Sequence, residues 1–84
     1  MRPPSRQLEV FGRTVRRARR ERELSQEALA RSAGLAAKHV SEIERANRDP
    51  RLTTLLKLAD ALDLRAGELF ALYDEQLEAA ADAP

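Results

Sequence analysis

The amino-acid sequence predicts an all-α domain of five short helices. Apolar residues recur at spacings of three and four along successive segments, which is the period of one helical face. Serine, glycine and proline separate these segments, as expected for helix caps and breaks. The length of 84 residues fits one domain with a single hydrophobic core. No cysteine is present, so aliphatic packing must supply that core.

The first predicted helix runs from about Gln7 to Arg22, after a loose arm that contains Pro3 and Pro4. Ser5 is well placed to cap it, because a serine oxygen can accept from a free amide of the first turn. Its apolar face consists of Leu8, Phe11, Val15 and Ala18, and its other faces carry Arg13, Arg16, Arg17, Arg20 and Arg22.

The second and third helices are expected at about Gln26–Ser32 and Ala36–Arg45. Ser25 is a good N-cap for helix 2, and Gly34 ends it, because glycine readily takes the left-handed conformation at a helix C-terminus. Val40 and Ile43 are the apolar contacts of helix 3. Two helices separated by a few residues that include a glycine form the helix-turn-helix pattern.

The last two helices follow a polar turn at Ala46–Arg51, in which Pro50 breaks any helix. Helix 4 is expected at about Thr53–Leu62 and helix 5 at about Ala66–Tyr73. Residues 74–84 are acidic and rich in alanine, and they either extend helix 5 or fray.

Charge is divided unevenly along the chain although the net charge is only +1. Residues 1–51 hold thirteen Arg and Lys against seven Asp and Glu, whereas residues 52–84 hold two against seven. This asymmetry indicates either one face that meets a polyanion or a solvated surface that is merely polarised.

Several classes of protein are excluded by what the sequence lacks. No apolar run is long enough to span a membrane, and the basic N-terminus has no apolar segment of a secretory signal, so we expect a cytoplasmic protein. With one histidine and no cysteine, metal binding is not expected. No catalytic set can be assembled, so we expect neither an enzyme nor a cofactor or small-molecule ligand.

A series of motifs occurs in one order along the chain. Leu24-Ser25-Gln26-Glu27-Ala28-Leu29-Ala30 is followed by Gly34-Leu35, Val40-Ser41-Glu42-Ile43-Glu44-Arg45, Pro50 and Leu55-Leu56-Lys57-Leu58-Ala59. Over about residues 12–70 the chain thereby resembles the phage Cro/repressor (XRE) family of helix-turn-helix proteins. The resemblance implies a lambda-repressor-like fold. It places a DNA-binding domain at 12–73 with its helix-turn-helix at about 26–45, an arm and the start of helix 1 at 1–11, and an acidic tail at 74–84.

The resemblance implies that residues early in helix 3 meet base edges of double-stranded DNA. The major groove, about 12 Å wide, accepts one α-helix. Lys38 can donate to guanine and Glu42 can accept from cytosine. The alternative is that these two form an ordinary exposed ion pair at a spacing of four. The candidate base-reading residues are Ala37, Lys38, Ser41 and Glu42.

Phosphate contacts are predicted on both sides of helix 3. Gln26 lies in the first turn of helix 2, where free amides and the positive helix end favour an anion, and the resemblance implies that its side chain also binds the DNA backbone. Arg45, Asn47 and Arg48 follow helix 3 and are placed to contact a phosphate, the alternative being a solvated loop. His39 is expected near a phosphate or in solvent.

The resemblance also implies a structural ion pair between Arg19 and Glu44. At two corners the chain departs from the family, because Glu23 and Ala46 stand where glycine is frequent. A left-handed non-glycine residue costs on the order of 1 kcal/mol, so we expect other turns there. Ala36 and Ala37 stand at positions that are usually polar, so specificity is expected to depend strongly on backbone contacts and DNA deformability.

A homodimer is expected, because one module of this size buries too little DNA surface for tight specific binding. The candidate interface residues are Leu69, Phe70, Leu72, Tyr73 and Leu77. The alternative is that they only complete the core, which is expected for Leu69 and Phe70. We expect a sequence-specific transcriptional regulator, either a repressor or a controller-type autoregulator. Restriction-modification controllers, antitoxins and phage-type repressors fit the length equally. The alternative is a protein-protein interaction module of the same fold without DNA binding.

Overall fold

Five α-helices follow one another in the computed structural model, which describes residues 5–82. The all-α fold class is confirmed, and each helix bound lies within one residue of its predicted position except the end of the fifth helix. Part of the predicted arm, residues 1–4, lies outside the described residues. The helices are α1 (Arg6–Glu21), α2 (Gln26–Ala33), α3 (Ala37–Glu44), α4 (Leu52–Ala61) and α5 (Ala66–Asp82).

The helices begin in two different ways. Ser5 and Ser25 cap α1 and α2, because their hydroxyl oxygens accept from backbone amides two residues inside each helix, at 3.1 and 3.0 Å. By contrast, α3 and α4 follow Ala36 and Arg51, and neither residue provides a side-chain cap. The first amides of α3 and α4 therefore remain available to other acceptors.

The first four helices end in the same motif. A residue in the left-handed conformation follows each helix, and the next amide donates back to a carbonyl five residues earlier. The expectation of other turns at Glu23 and Ala46 is wrong, since their φ angles are 55° and 62°. The hydrogen bonds of the motif offset the steric cost of the side chain. The four left-handed residues are Glu23, Gly34, Ala46 and Asp63.

The residue after each left-handed position shows which corners close on the core. Leu24, Leu35 and Leu64 pack against the core and add the apolar contact that accompanies this motif. After α3 the equivalent residue is Asn47, which is exposed. At the corner after α3 the left-handed residue Ala46 is itself buried, and the next residue presents a polar side chain to solvent.

The core lies where α1 packs on α3 and α5, α2 packs on α3 and α4, and α4 packs on α5. Gly12 allows α1 to approach the end of α3 closely. A Cβ atom at this position would lie 2.7 Å from the carbonyl oxygens of both Ile43 and Glu44. The centre of the core is formed by the fully buried side chains of Val15, Leu29, Val40, Leu58, Leu62 and Leu69.

The fifth helix is about twice as long as predicted, because it continues through the acidic segment to Asp82. Alanine and glutamate, which favour helices, explain why the segment extends α5. Leu69 completes the core, as the alternative expected, so its place among the dimer-interface candidates is wrong. The same expectation is wrong for Phe70, which lies one position around the helix and is 39% exposed.

Candidate nucleic-acid interface

The α3 helix is anchored by one face and open on the other. Val40 and Ile43 are 0% and 1% exposed, and they fix the helix to the core. Lys38 and Arg45 are exposed on the other side, and Ser41 is half-buried. Because α3 packs on α1 and α2, and α5 packs on α1 and α4, the acidic α5 does not cover this open face.

The four predicted base-reading residues do not share one environment. Ala37 is half-buried and packs against the core. Lys38 is exposed, whereas Ser41 and Glu42 are half-buried. Lys38 is therefore the most accessible polar group of the first turn of α3.

Glu42 pairs with Arg48 rather than with Lys38. The Nε and Nη2 atoms of Arg48 donate to one carboxylate oxygen of Glu42, at 3.3 and 3.2 Å. The Arg48 side chain is 44% exposed and that of Glu42 is 18% exposed. The two residues were predicted to contact DNA separately, one at a base and one at a phosphate. Their pairing means that Glu42 holds the guanidinium of Arg48 at the edge of α3.

On the other side of α3, three polar side chains connect α1, α2 and α3. Arg19 donates to both carboxylate oxygens of Glu44, at 2.7 and 3.0 Å, and to the backbone oxygen of Leu24. The hydrogen bonds to Glu44 raise the pKa of Arg19 above its ordinary value. Arg19 therefore stays charged across the neutral range, and its contribution to stability does not vary there.

Gln26 is part of the same network. Its side-chain nitrogen donates to Glu44 at 3.1 Å, so the amide predicted to bind DNA is already oriented by the scaffold. A side-chain amide carries two N–H groups, and one remains for another acceptor. The Ser25 cap engages the amide of Ala28, which leaves the amides of Gln26 and Glu27 without a partner among the described residues. This helix end is suited to an anion.

A polar cleft lies between α3, the loop after it and the start of α4. His39 and Arg48, both predicted to lie near DNA phosphates, line this cleft. The other polar lining residues are Asp49, Arg51, Thr53, Thr54 and Lys57. The uncapped N-terminus of α4 opens at the same place, so free amides and cationic side chains meet there.

Thr54 marks the inner wall of this cleft. Thr54 is only 6% exposed, so it lies at the base of the cleft. Sequence reasoning missed Arg51, Thr53, Thr54 and Lys57. The available signal was Arg51 itself, because a helix that begins without Ser, Thr, Asp or Asn at its N-cap leaves its first amides unsatisfied.

Two further features bear on the kind of site. Within residues 5–82, no group of three or more His, Asp or Glu side chains is arranged to hold a metal ion. None of the described helices is long and apolar enough to cross a membrane.

Two helices joined by a short turn that contains a glycine, with the second helix anchored on one face and open on the other, are the arrangement of a helix-turn-helix DNA-binding domain. A helix-turn-helix family model matches residues 15–69. The chain belongs to this family and is a DNA-binding transcriptional regulator. The family is a class of DNA-binding regulators and not a class of enzymes.

Particular relatives narrow the comparison. The chain is 35% identical over 63 residues to the uncharacterized HTH-type transcriptional regulator YazB of Bacillus subtilis, covering 75% of this chain and 91% of that protein. It is 44% identical to the restriction-modification controller protein C.AhdI from Aeromonas hydrophila, with a TM-score of 0.73, 75% of this chain and 96% of that chain covered.

A third comparison concerns the fold. The controller protein C.Esp1396I, solved as a tetramer in complex with its natural 35 base-pair operator, matches with a TM-score of 0.82. The match covers 86% of this chain and 95% of that chain, at 24% sequence identity. At that identity the likeness is one of fold.

Proposed function

We propose that this protein binds an operator as a homodimer, with α3 in the major groove, and regulates transcription as a controller-type autoregulator. The observation that carries the proposal is the open face of α3, where Lys38 is exposed while Val40 and Ile43 anchor the opposite face. A helix held in this way fits a groove that accepts one α-helix. Lys38 is the residue we propose to donate to guanine.

The polar network around Glu42 changes the proposed roles of the other reading residues. Because Glu42 already accepts from Arg48, we propose that the pair acts together and that Arg48 presents its remaining N–H groups to DNA. Ser41 lies one turn after Lys38 on the same side of α3, is half-buried, and is proposed as a further polar contact. Ala37 offers only a methyl group for a thymine.

Two helix N-termini are proposed to hold the DNA backbone on either side of α3. Gln26 and the free amides of α2 would receive one phosphate. The cleft at the start of α4 would receive another, where Arg51, Thr54 and Lys57 meet the free amides of that helix. The exposed side chains of Arg45 and Asn47 lie between these sites at the end of α3 and are proposed to contact the same backbone.

The proposed dimer surface combines α4 and α5. Leu52 and Leu56 lie one turn apart on α4 and are 64% and 45% exposed, and Phe70 on α5 is 39% exposed. Phe70 lines a groove with Leu55 and Tyr73, which extends the apolar surface. Such a surface on a small domain is expected to be covered by a partner. Leu77 remains a candidate, whereas Leu72 faces α1 in another groove.

A controller-type role is supported by the match to C.AhdI, because 44% identity over nearly all of that chain exceeds what a shared fold alone requires. We propose that the protein binds its operator as an oligomer, because it shares the fold of the C.Esp1396I tetramer that was solved on its operator. The cytoplasmic location remains a prediction.

Filter binding of a duplex isolated by in vitro selection tests the proposal. We expect the logarithm of the association constant to fall linearly with the logarithm of salt concentration, as cationic groups release counterions from phosphates. Sedimentation of the free protein tests the dimer, with Leu56→Glu as the variant expected to remain monomeric. Failure to select any duplex, or binding that ignores salt, would favour the protein-protein interaction module instead.

A further inference from the structure

Several exposed arginines lie together on the outer side of α1, separate from the DNA-contacting residues proposed on α3. At 100° per residue, five arginines fall within an arc of about 100° on this helix, and all five are exposed. We call this surface the arginine face, and it consists of Arg6, Arg13, Arg16, Arg17 and Arg20. Glu9 is an acidic residue in the same arc, so the arc holds five positive charges against one negative charge.

Acidic neighbours compensate little of this charge. Among the described residues, Arg17 alone of the five has an ion pair, with Glu21 at 3.9 Å, and both side chains are mostly exposed. An exposed ion pair of this kind contributes little to the free energy of unfolding. Gln76 of α5 borders the face. It lines a shallow groove with Glu21 and with four of the arginines, Arg13, Arg16, Arg17 and Arg20.

One edge of the arginine face adjoins α3. Gly12 and Arg19 of α1 contact the end of α3, the first through its close backbone approach and the second through Glu44. Arg16 follows Gly12 by four positions and therefore lies beside that contact line. Arg20 follows Arg16 by one turn and lies further out on the arginine face, about 100° around the helix from Arg19. Arg20 is also close along the chain to the N-terminus of α2, where a phosphate is proposed to bind.

We propose that Arg16 and Arg20, extended by Arg13, bind the phosphates of operator DNA beyond the segment read by α3, so that the duplex curves along α1. This proposal rests on the proposed function. Arginine is the cation best suited to phosphate, because its planar fork donates two parallel hydrogen bonds. From residue 13 to residue 20 the helix rises about 10 Å, which spans about three phosphates of one strand.

The opposite edge of the face makes a duplex a better partner than a second copy of the chain. That edge meets Glu21 and the α5 residues Glu75 and Gln76, which line a groove with Arg17. The carboxylates of Glu21 and Glu75 repel phosphates and disfavour DNA at that edge, whereas Arg16 and Arg20 form no ion pair among the described residues. A duplex bound at Arg16 and Arg20 continues the same duplex that receives α3 in its major groove. An acidic protein bound there would have no connection to that DNA.

Two duplex lengths test this assignment. The selected operator is prepared as a core of about 20 base pairs, enough for two half-sites one turn apart, and with added flanks to about 40 base pairs. The wild type is expected to bind the longer duplex with a steeper salt dependence, by about 0.9 in log–log slope for each added phosphate contact. Fluorescence transfer between dyes at the two ends is expected to report a bend.

The test variant is Arg16→Gln/Arg20→Gln, and two variants serve as controls. It is expected to bind the short duplex with the wild-type slope but to lose the additional slope and the bend on the long one. Arg17→Gln/Arg65→Gln removes the same charge from the α5 edge of the face and from the start of α5, and it is expected to keep both. Arg16→Lys/Arg20→Lys keeps the charge and is also expected to keep both. Circular dichroism checks that every variant is folded.

Each outcome distinguishes this proposal from the proposed function. Wild-type behaviour of the test variant on the long duplex would overturn the role of the arginine face while leaving recognition by α3 intact. Equal losses on both duplexes would also overturn it, since the arginines would then contact the core operator. If the wild type fails to bind even the short duplex, the proposed function fails first.

Discussion

Arg19 and Glu44 form a buried, two-pronged ion pair between α1 and the last residue of α3. Two guanidinium nitrogens donate to the two carboxylate oxygens at 2.7 and 3.0 Å, and the side chains are only 10% and 3% exposed. Gln26 donates to the same carboxylate from α2. One buried carboxylate thus sets the relative orientation of α1, α2 and α3, three of the helices that carry proposed DNA-contacting groups.

Replacing Arg19 with methionine is expected to lower the free energy of unfolding by about 3–5 kcal/mol, because the Glu44 carboxylate would be left buried without its countercharge. Urea denaturation measures the loss. The matched control is Arg17→Met, which breaks the exposed pair with Glu21 and is expected to change stability by less than about 1 kcal/mol. Equal effects for the two variants would show that burial of the Arg19–Glu44 pair carries no special weight.

Two helical glycines are expected to respond in opposite directions to alanine. Gly12→Ala places a methyl group 2.7 Å from two backbone carbonyl oxygens, so α1 must move away from α3. We expect a loss of about 3 kcal/mol or more. At Gly67 nothing lies within 4 Å of an added Cβ atom, and Gly67→Ala is expected to stabilise the protein by about 0.5 kcal/mol. Thermal unfolding compares the two, and a stable Gly12→Ala variant would contradict the close approach.

The left-handed corner after α1 offers a stabilising substitution. Glu23 is exposed with a φ angle of 55°, a conformation that costs a non-glycine residue about 1–2 kcal/mol. Glu23→Gly is therefore expected to raise the free energy of unfolding by about 1 kcal/mol. The control is Glu75→Gly in the middle of α5, where glycine is expected to cost about 1 kcal/mol instead. Chemical denaturation of both variants decides the sign, and destabilisation at residue 23 would refute the assigned backbone conformation.

Much of the fold was predictable from the sequence, because the serine caps and the spacing of apolar residues depend on neighbours within one helix. The left-handed conformation of Glu23 and Ala46 was not predictable from the sequence. It is supported by a hydrogen bond from the next residue's amide to a carbonyl five residues earlier, and that bond forms only when the chain closes on the core. Leu69 and Phe70 are adjacent and both apolar. Which of them is buried depends on how α5 rotates against α4, and helical period alone does not fix that rotation.

The interface was predictable in the same uneven way. The spacing of Val40 and Ile43 identified the open face of α3. The Arg48–Glu42 pair escaped prediction because a partner six residues away lies across a turn whose shape was not known. The cleft at the start of α4 combines residues from α3, the loop after it and α4. The only sign of the cleft in the sequence was Arg51, which stands before α4 without a capping side chain.

Lys38 and Lys57 are expected to differ in what they contribute to DNA binding. Lys38→Ala is expected to weaken binding of the selected operator by about 1–3 kcal/mol and to relax the preference for one base. Lys57→Gln, at the α4 cleft, is expected to weaken binding of all duplexes similarly and to reduce the salt slope by about 1. Selection experiments and salt titrations with both variants separate the roles. A uniform loss for Lys38→Ala would contradict base reading.

Amide chemical shifts of the ¹⁵N-labelled protein, followed as the selected duplex is added, test most directly whether α3 is the helix that meets DNA. We expect the largest shift changes on residues 37–48 and on the first turns of α2 and α4, and small shift changes in α5 beyond Gln76. Changes centred on α5, with α3 unaffected at saturating duplex, would contradict it.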